Sequence, residues 1–445
     1  MLIILLILNG ALNAQDLPLI LAERDRAGIV NEVLTHRFEK VLPGLMRREG
    51  FDMWILISRE YHEDPVMKTM LPAEWISARR RTVFVFFDKG PGKELEKIAI
   101  ARYDVGLLKA EWNLNVYPNQ WDALVDAVKS RNPKKIGINY SANYAHADGL
   151  SHFEYDQLMN HLPIEFRARV SSAEKLAVAW LETRSGMEMN LYEHIARISH
   201  LILREGLSDK VIQPGITSTD DVVWWYRQKI TSLGLETWFH PTVDVQNADT
   251  SRFEHLRTFS KRPDKVIIQP GDLLHVDFGI SYLRLNTDMQ EHAYVLKPGE
   301  TAVPAFLQQA FKQAYRLQDI LTENFKTGLT GNEILAAALR QAKAEGINGS
   351  IYTHPIGSHG HAAGPTIGMW DNQGKTIGPG DYPMYPNTAY SIELNASVAV
   401  PEWNGKIIRI MLEQDGYFDG ERFRYIDGRQ EGIYGVQRGE VRGKR

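Results

Sequence analysis

The chain has 445 residues, 44% of them hydrophobic, 24% charged and none of them cysteine. That is ample for a buried core and for two or three domains, and it excludes disulfides and thiolate metal ligands. A formal net charge of −4 gives no reason to expect nucleic acid or an anionic membrane surface as a partner.

Leu2 to Leu8 is an unbroken aliphatic run, followed by Asn9-Gly-Ala-Leu-Asn-Ala14-Gln15. Two readings stand: a signal peptide over 1–14, cleaved after Ala14, or a buried N-terminal strand. The first is the working expectation, and it places a mature chain from about Gln15 in the periplasm or outside the cell. The run is too short to span a bilayer and no other stretch approaches that length. The mature chain is therefore expected to have no integral membrane segment.

From Glu23 to Gly50, Ile29, Val33, Phe38, Val41, Leu42 and Leu45 recur at helical steps. Strands are expected at Phe51–Ile57, Arg81–Phe87, Lys97–Ala101 and Lys135–Ile138, with a helix over Trp121–Ser130. Strands alternating with helices give an α/β N-terminal domain over 15–170. Ser172–Leu207 reads as a long helical stretch. It is interrupted at Ser185-Gly-Met-Glu188, where a serine precedes an acid by three residues as in a capping box. Another helix is expected over Asp220–Leu233.

The chemistry-bearing residues lie beyond. In Leu273–Phe278 the alternation puts Leu274, Val276 and Phe278 on one face and His275 and Asp277 on the other. A return strand carries Asp288, eleven residues after Asp277. An antiparallel ladder turning between Tyr282 and Leu283 would set the two carboxylates directly opposite, with Cβ atoms about 5 Å apart. Such a pair repels unless a cation lies between, so the stretch is either half of a metal site or two polar residues on an exposed hairpin. Downstream, Thr353-His354-Pro-Ile-Gly-Ser-His359-Gly-His361-Ala-Ala-Gly364 supplies imidazoles. Glu393 and Glu413 each sit on or beside a short β-like run. Carboxylates with one imidazole converging from separate strands suit a pair of divalent ions.

In order and spacing these residues resemble the pita-bread metallopeptidases, the group of aminopeptidase P, prolidase and methionine aminopeptidase. The resemblance implies an α+β C-terminal domain over 171–445, a curved antiparallel sheet with outer helices. It also implies two divalent metal ions held by Asp277, Asp288, His361, Glu393 and Glu413. Asp288 and Glu413 would bridge the ions, and Glu393 would also carry the proton to the leaving amine. His361 rather than His359 takes the histidine role because the family's ligand histidine has a glycine three residues later, here Gly364. Manganese is the first expectation for the metal, with cobalt, iron or zinc as alternatives.

Three departures from the family pattern stand out. Gly368 occupies the place, seven residues after His361, where a second histidine is expected. Gln290 replaces a threonine, and Arg409 stands four rather than two residues before Glu413. His255, His354 and His359 are therefore the expected substrate-binding histidines. His255 ranks first as a catalytic group, although a loop histidine bonded only to backbone is its alternative. The larger members of the family favour peptides with proline in second place, which implies an Xaa-Pro peptidase acting on small peptides, as a homodimer. A creatinase-like carbon–nitrogen hydrolase and a non-catalytic peptide-binding protein on the same fold are the alternatives.

Overall fold

The computed structural model describes residues 18–249 and 265–437. The apolar run, the cleavage position and His255 lie outside the described residues.

The N-terminal part is built on one mixed sheet. Its strands are β1 (Met53–Arg59), β2 (Arg81–Phe87), β3 (Glu96–Ala99), β4 (Lys109–Ala110), β5 (Ile136–Ile138) and β6 (Val170–Ser172). Their order is β4-β3-β2-β1-β5-β6. Near-continuous apolar runs in β1 and β2 fit strands covered on both faces. Trp54, Leu56, Phe84 and Phe86 pack under the first helices, while Ile55, Ile57, Val83 and Val85 pack under helix Gln120–Arg131. The expected long N-terminal helix is two helices, Glu23–His36 and Leu42–Arg48, joined by a π-helical turn over Arg37–Val41.

Helix Glu174–Glu182 leads into helix Gly186–Gly206. The break is the expected capping box: Ser185 Oγ accepts from the Glu188 N–H and the Glu188 carboxylate from the Ser185 N–H. Helix Thr219–Ser232 follows, capped in the same way by Ser218 and Asp221.

The rest of the chain is a set of small sheets carrying the remaining strands. These are β7 (Thr242–Gln246), β8 (Leu273–Phe278), β9 (Ser281–Tyr282), β10 (Leu285–Asn286), β11 (Met289–Val295), β12 (Gly349–Ile351), β13 (His354–Pro355), β14 (Thr388–Ser391), β15 (Leu394–Val400), β16 (Lys406–Leu412), β17 (Asp415–Phe418), β18 (Phe423–Tyr425) and β19 (Tyr434–Val436). The main sheets run β19-β11-β8-β7, β12-β15-β16 and β13-β14-β17-β18. Leu274, Val276 and Phe278 pack under helices Gly186–Gly206 and Thr219–Ser232, while Ile408, Ile410 and Leu412 pack under helices Ala305–Glu323 and Gly331–Ala344. Helices thus cover the outer faces and leave the inner faces to polar side chains. Among the described residues no helix is long and apolar enough to cross a membrane.

The hairpin register differs from the sequence expectation. Asp277 lies opposite Gln290, and the turn falls between Leu283 and Arg284, both with positive φ. Two adjacent left-handed residues are what a tight hairpin turn of matching twist requires. The ladder shifts by two residues as a result, so Asp288 is diagonal to Asp277. An even shift keeps both on the same face.

Candidate metal centre

Four carboxylates and an imidazole converge on the inner face. Asp277 comes from β8 and Asp288 from the residue preceding β11. The other three come from a recurring device, in which a strand bends out of one sheet and continues in the next. Tyr352-Thr353 separates β12 from β13, which begins with His354; Ile392-Glu393 separates β14 from β15; Glu413-Gln414 separates β16 from β17. Hydrogen bonds across these bends line them up, from Tyr352 N to Glu393 O at 3.0 Å, Ile392 N to Gln414 O at 3.0 Å and Gln290 N to Glu413 O at 2.9 Å.

The donor atoms form three overlapping groups, each with its atoms within 4.8 Å of one another: Asp277, Asp288 and Glu413; His354, Glu393 and Glu413; and Asp288, His354 and His361. His354 Nδ1 is bonded to the Pro355 carbonyl at 3.0 Å, which leaves Nε2 facing Asp288 at 3.8 Å and Glu413 at 3.7 Å. Ser391 Oγ donates to Glu413 at 2.6 Å, and the Gln290 amide donates to Glu413 at 2.6 Å and to Glu393 at 2.9 Å. Asp277 Oδ1, Asp288 Oδ1 and His354 Nε2 are buried without a hydrogen-bond partner. Buried acceptors left this way are costly in an apolar setting, and a cation is the partner that all three can take. The residues present therefore fit divalent metal.

The electrostatics agree. Burial, then the charges of Glu413 and Asp244, push Asp277 well above the usual carboxylate range. Burial and the surrounding carboxylates, Glu413 first, do the same to Asp288. Glu393 rises through burial and the charges of Glu413 and Asp277. Burial opposes the ionisation of Glu413, but the neighbouring His354 ring and hydrogen bonds from Ser391 and Gln290 hold it, alone of the four, below the ordinary value. Carboxylates this close cannot all ionise in the absence of a cation.

The histidines divide unexpectedly. His354, read from the sequence as a substrate-binding group, is buried and belongs to two of the three donor groups. His361, read as the metal ligand, is exposed and belongs to one. The His361 ring lies 4.6 Å from that of His354, 5.1 Å from Trp238 and 5.9 Å from Tyr352. Although one side of the residue is exposed, these rings shield the imidazole from water, and that desolvation, with His354, lowers its pKa to about 4. His359 is not brought to the carboxylates; it packs against His146 of the N-terminal part, ring centroids 4.8 Å apart. Burial, then His146, Arg184 and Lys68, lower it to about 3. Gly368 is not a vacated site position either. It adopts φ +75°, and a Cβ there would stand 2.2 Å from the Ile351 carbonyl oxygen and against Leu335.

Several participants were missed. Gln290, singled out only as a departure, spans both glutamates and accepts from His275 at 2.9 Å. Asp244 lies opposite His275 on β7, with its carboxylate 3.7 Å from Nδ1. The alternation of Val243 and Val245 with Asp244 was the available signal.

The profile of metallopeptidase family M24 matches residues 190–419, more than half of the chain, so the protein belongs to that family. Its fold is the one shared by solved Xaa-Pro peptidases. The X-Pro aminopeptidase from Thermotoga maritima MSB8 superposes with a TM-score of 0.61 at 14% identity, covering 88% of this chain and 100% of that one. An Xaa-Pro dipeptidase from Bacillus anthracis gives 0.57 at 17% identity, covering 92% and 100%. The prolidase from Pyrococcus furiosus gives 0.55 at 13% identity, covering 87% and 100%. No curated protein sequence matches the chain.

Proposed function

We propose that this metallopeptidase hydrolyses short peptides at Xaa-Pro bonds with two divalent ions. The observation that carries the reading is the convergence of Asp277, Asp288, Glu393, Glu413 and His354, with three donor atoms left unpartnered. Asp277 would serve one ion, His354 and Glu393 the other, and Asp288 and Glu413, each sharing a donor group with Asp277 and another with His354, would serve both. His354 replaces His361 as the ligand in this assignment. His354-Pro-Ile-Gly357 has the same glycine three residues on, and seven residues after His354 stands His361. Counted from His354, the second histidine of the family pattern is present.

When bound, the ions would activate water near neutral pH and polarise the scissile carbonyl. Oxygen-rich ligation with one imidazole suits manganese, cobalt, iron or zinc. The chain's own residues would do the rest. Glu393, oriented by Gln290, would move the proton from the attacking water to the leaving nitrogen. His361, neutral at physiological pH and a neighbour of His354, would donate a hydrogen bond to the carbonyl oxygen as charge develops there. Trp238 holds the segment beneath His361: its indole donates to the Thr287 carbonyl at 2.9 Å, and its ring fills the space that a side chain at position 360 would need. The Xaa-Pro preference is supported by the neighbouring structures, and we place the boundary between the two domains near residue 170.

The test is elemental analysis of purified protein together with hydrolysis of Xaa-Pro and Xaa-Ala peptides supplied with manganese, cobalt, iron or zinc. Two ions per chain and proline-selective cleavage are expected. Absence of stoichiometric metal under every condition would remove the reading.

A further inference from the structure

Tyr352 stands on the bend between β12 and β13, two residues before His354. Its neighbours in the chain fix which way it faces. Ile351 is buried in the hydrophobic core, and the Gln373 amide holds both its backbone groups, accepting from the N–H at 2.8 Å and donating to the carbonyl at 2.8 Å. Thr353 is buried as well. It exchanges backbone hydrogen bonds with Ile367 at 3.0 and 2.9 Å, and its hydroxyl donates to the Glu393 carbonyl at 3.0 Å. The Tyr352 side chain, between these two, points the other way, into the metal centre. Its ring centroid lies 5.5 Å from that of His354 and 5.9 Å from that of His361, so three rings line one edge of the carboxylate cluster. Burial, then the charges of Glu393, Glu413, Asp288 and Asp371, push the phenol pKa up, which puts three of the centre's carboxylates within electrostatic reach of it. A phenol packed only for its ring finds a partner for its hydroxyl. Tyr352 is partly open, and its hydroxyl has no hydrogen-bond partner among the described residues. The site therefore holds an O–H donor with nothing to donate to.

We propose that the Tyr352 hydroxyl is a catalytic hydrogen-bond donor to the scissile carbonyl oxygen, paired with His361. The inference rests on the peptidase reading above. As water adds to the carbonyl carbon, electrons of the C=O bond move to oxygen, which then accepts hydrogen bonds more strongly than the ground-state carbonyl. Donors aimed at it lower the barrier without tightening substrate binding. His354 is turned to Asp288 and Glu413, which leaves His361 and Tyr352 as the donors on that edge. When the nitrogen leaves, the electron pair returns to the carbonyl, and neither donor has gained or lost a proton.

The experiment compares metal-loaded wild type, Tyr352→Phe and Tyr352→Leu. Tyr352→Phe keeps the ring and removes only the hydroxyl. On an Xaa-Pro peptide its kcat should fall by about 10- to 100-fold, with KM within about twofold of wild type and metal content unchanged. Two peptide analogues report without turnover. One carries a phosphinate at the cleavage position, a stand-in for the oxyanion, and its Kd should weaken by the same factor in Tyr352→Phe. The other carries a reduced –CH2–NH– bond, has no oxygen there, and should bind wild type and variant equally. Tyr352→Phe as active as wild type, whatever Tyr352→Leu does, makes the ring a packing element and overturns the proposal. So does loss of metal in Tyr352→Phe, an unchanged phosphinate Kd, or a parallel weakening of both analogues. If no Xaa-Pro peptide is cleaved but the phosphinate analogue alone depends on the hydroxyl, the donor role stands and the Xaa-Pro reading alone falls.

Discussion

At His354 and His361 two imidazoles with ring centroids 4.6 Å apart stand in different surroundings, and the proposed function gives them different tasks. His354 is oriented by a backbone carbonyl through Nδ1, the arrangement that fixes the tautomer of a metal-ligating histidine. His361 has neighbouring rings and an open side. Replacing His354 with alanine should therefore abolish stoichiometric metal along with hydrolysis. His361→Ala should keep the metal and lose about 10²- to 10³-fold in kcat. Metal analysis beside steady-state kinetics separates the two, and the reverse pattern would restore His361 as the ligand. Gln290 acts at one remove. Its amide holds Glu393 and Glu413 in place, so Gln290→Ala should weaken metal affinity by about 10- to 100-fold without removing a ligand. Titration with manganese against a competing chelator measures this; an unchanged affinity would mean that the glutamates are oriented without it.

At the scale of elements, the bends between sheets explain what the sequence made legible. Apolar alternation in β8 placed His275 and Asp277 on one face, and the capping box at Ser185 marked a helix start, because both patterns are local. The hairpin register lies two residues from the one the carboxylate spacing implies, since the left-handed pair Leu283 and Arg284 has no Gly or Asn to announce it. The choice among three histidines within eight residues could not be made from spacing, because Gly357 and Gly364 satisfy the same rule. The bend before β13, which turns His354 inward, is the feature that favours His354. Helix Glu174–Glu182 offers a prediction of its own. Burial pushes the Glu182 carboxyl up to about 8, opposed by the charge of Arg48 and the hydrogen bond from the Tyr382 hydroxyl. With a folded pKa above the unfolded value, its favourable contribution is full below about 4.5 and is lost as pH rises through about 8. In metal-loaded protein, where the centre's carboxylates are held ionised, Glu182→Gln should flatten the fall in melting temperature between pH 5 and pH 8. Parallel melting curves of the variant and wild type across that range would count against it.

At the scale of the whole molecule, the N-terminal helices and the inner sheets are joined through Glu188. Arg37 Nη1 donates to Glu188 at 2.7 Å and to the Thr183 carbonyl at 2.7 Å, and Arg184 Nη1 donates to Glu188 at 2.8 Å. All three side chains are buried. The Arg184 guanidinium packs so closely on Gly357 that a Cβ there would lie 2.9 Å from it, which ties the triad to the loop carrying His354 and His361. Against the cost of burial, the charges of Arg184 and Arg37 hold Glu188 down to about 2. A folded pKa below the unfolded value contributes stability that is present above about 4.5 and lost as pH falls towards 2. Glu188→Ala leaves two guanidinium groups buried without their shared anion, which costs about 3–5 kcal/mol. At pH 7 the metal-loaded variant should melt roughly 5 °C or more below wild type. The gap should narrow towards pH 3, because wild type loses the Glu188 contribution there and the variant has none to lose. Calorimetry at pH 7, 5 and 3 measures both. If the two proteins melt within a degree of each other at pH 7, the triad does not join the two parts of the molecule. If the gap instead stays constant to pH 3, the contribution of Glu188 is not that of its charge.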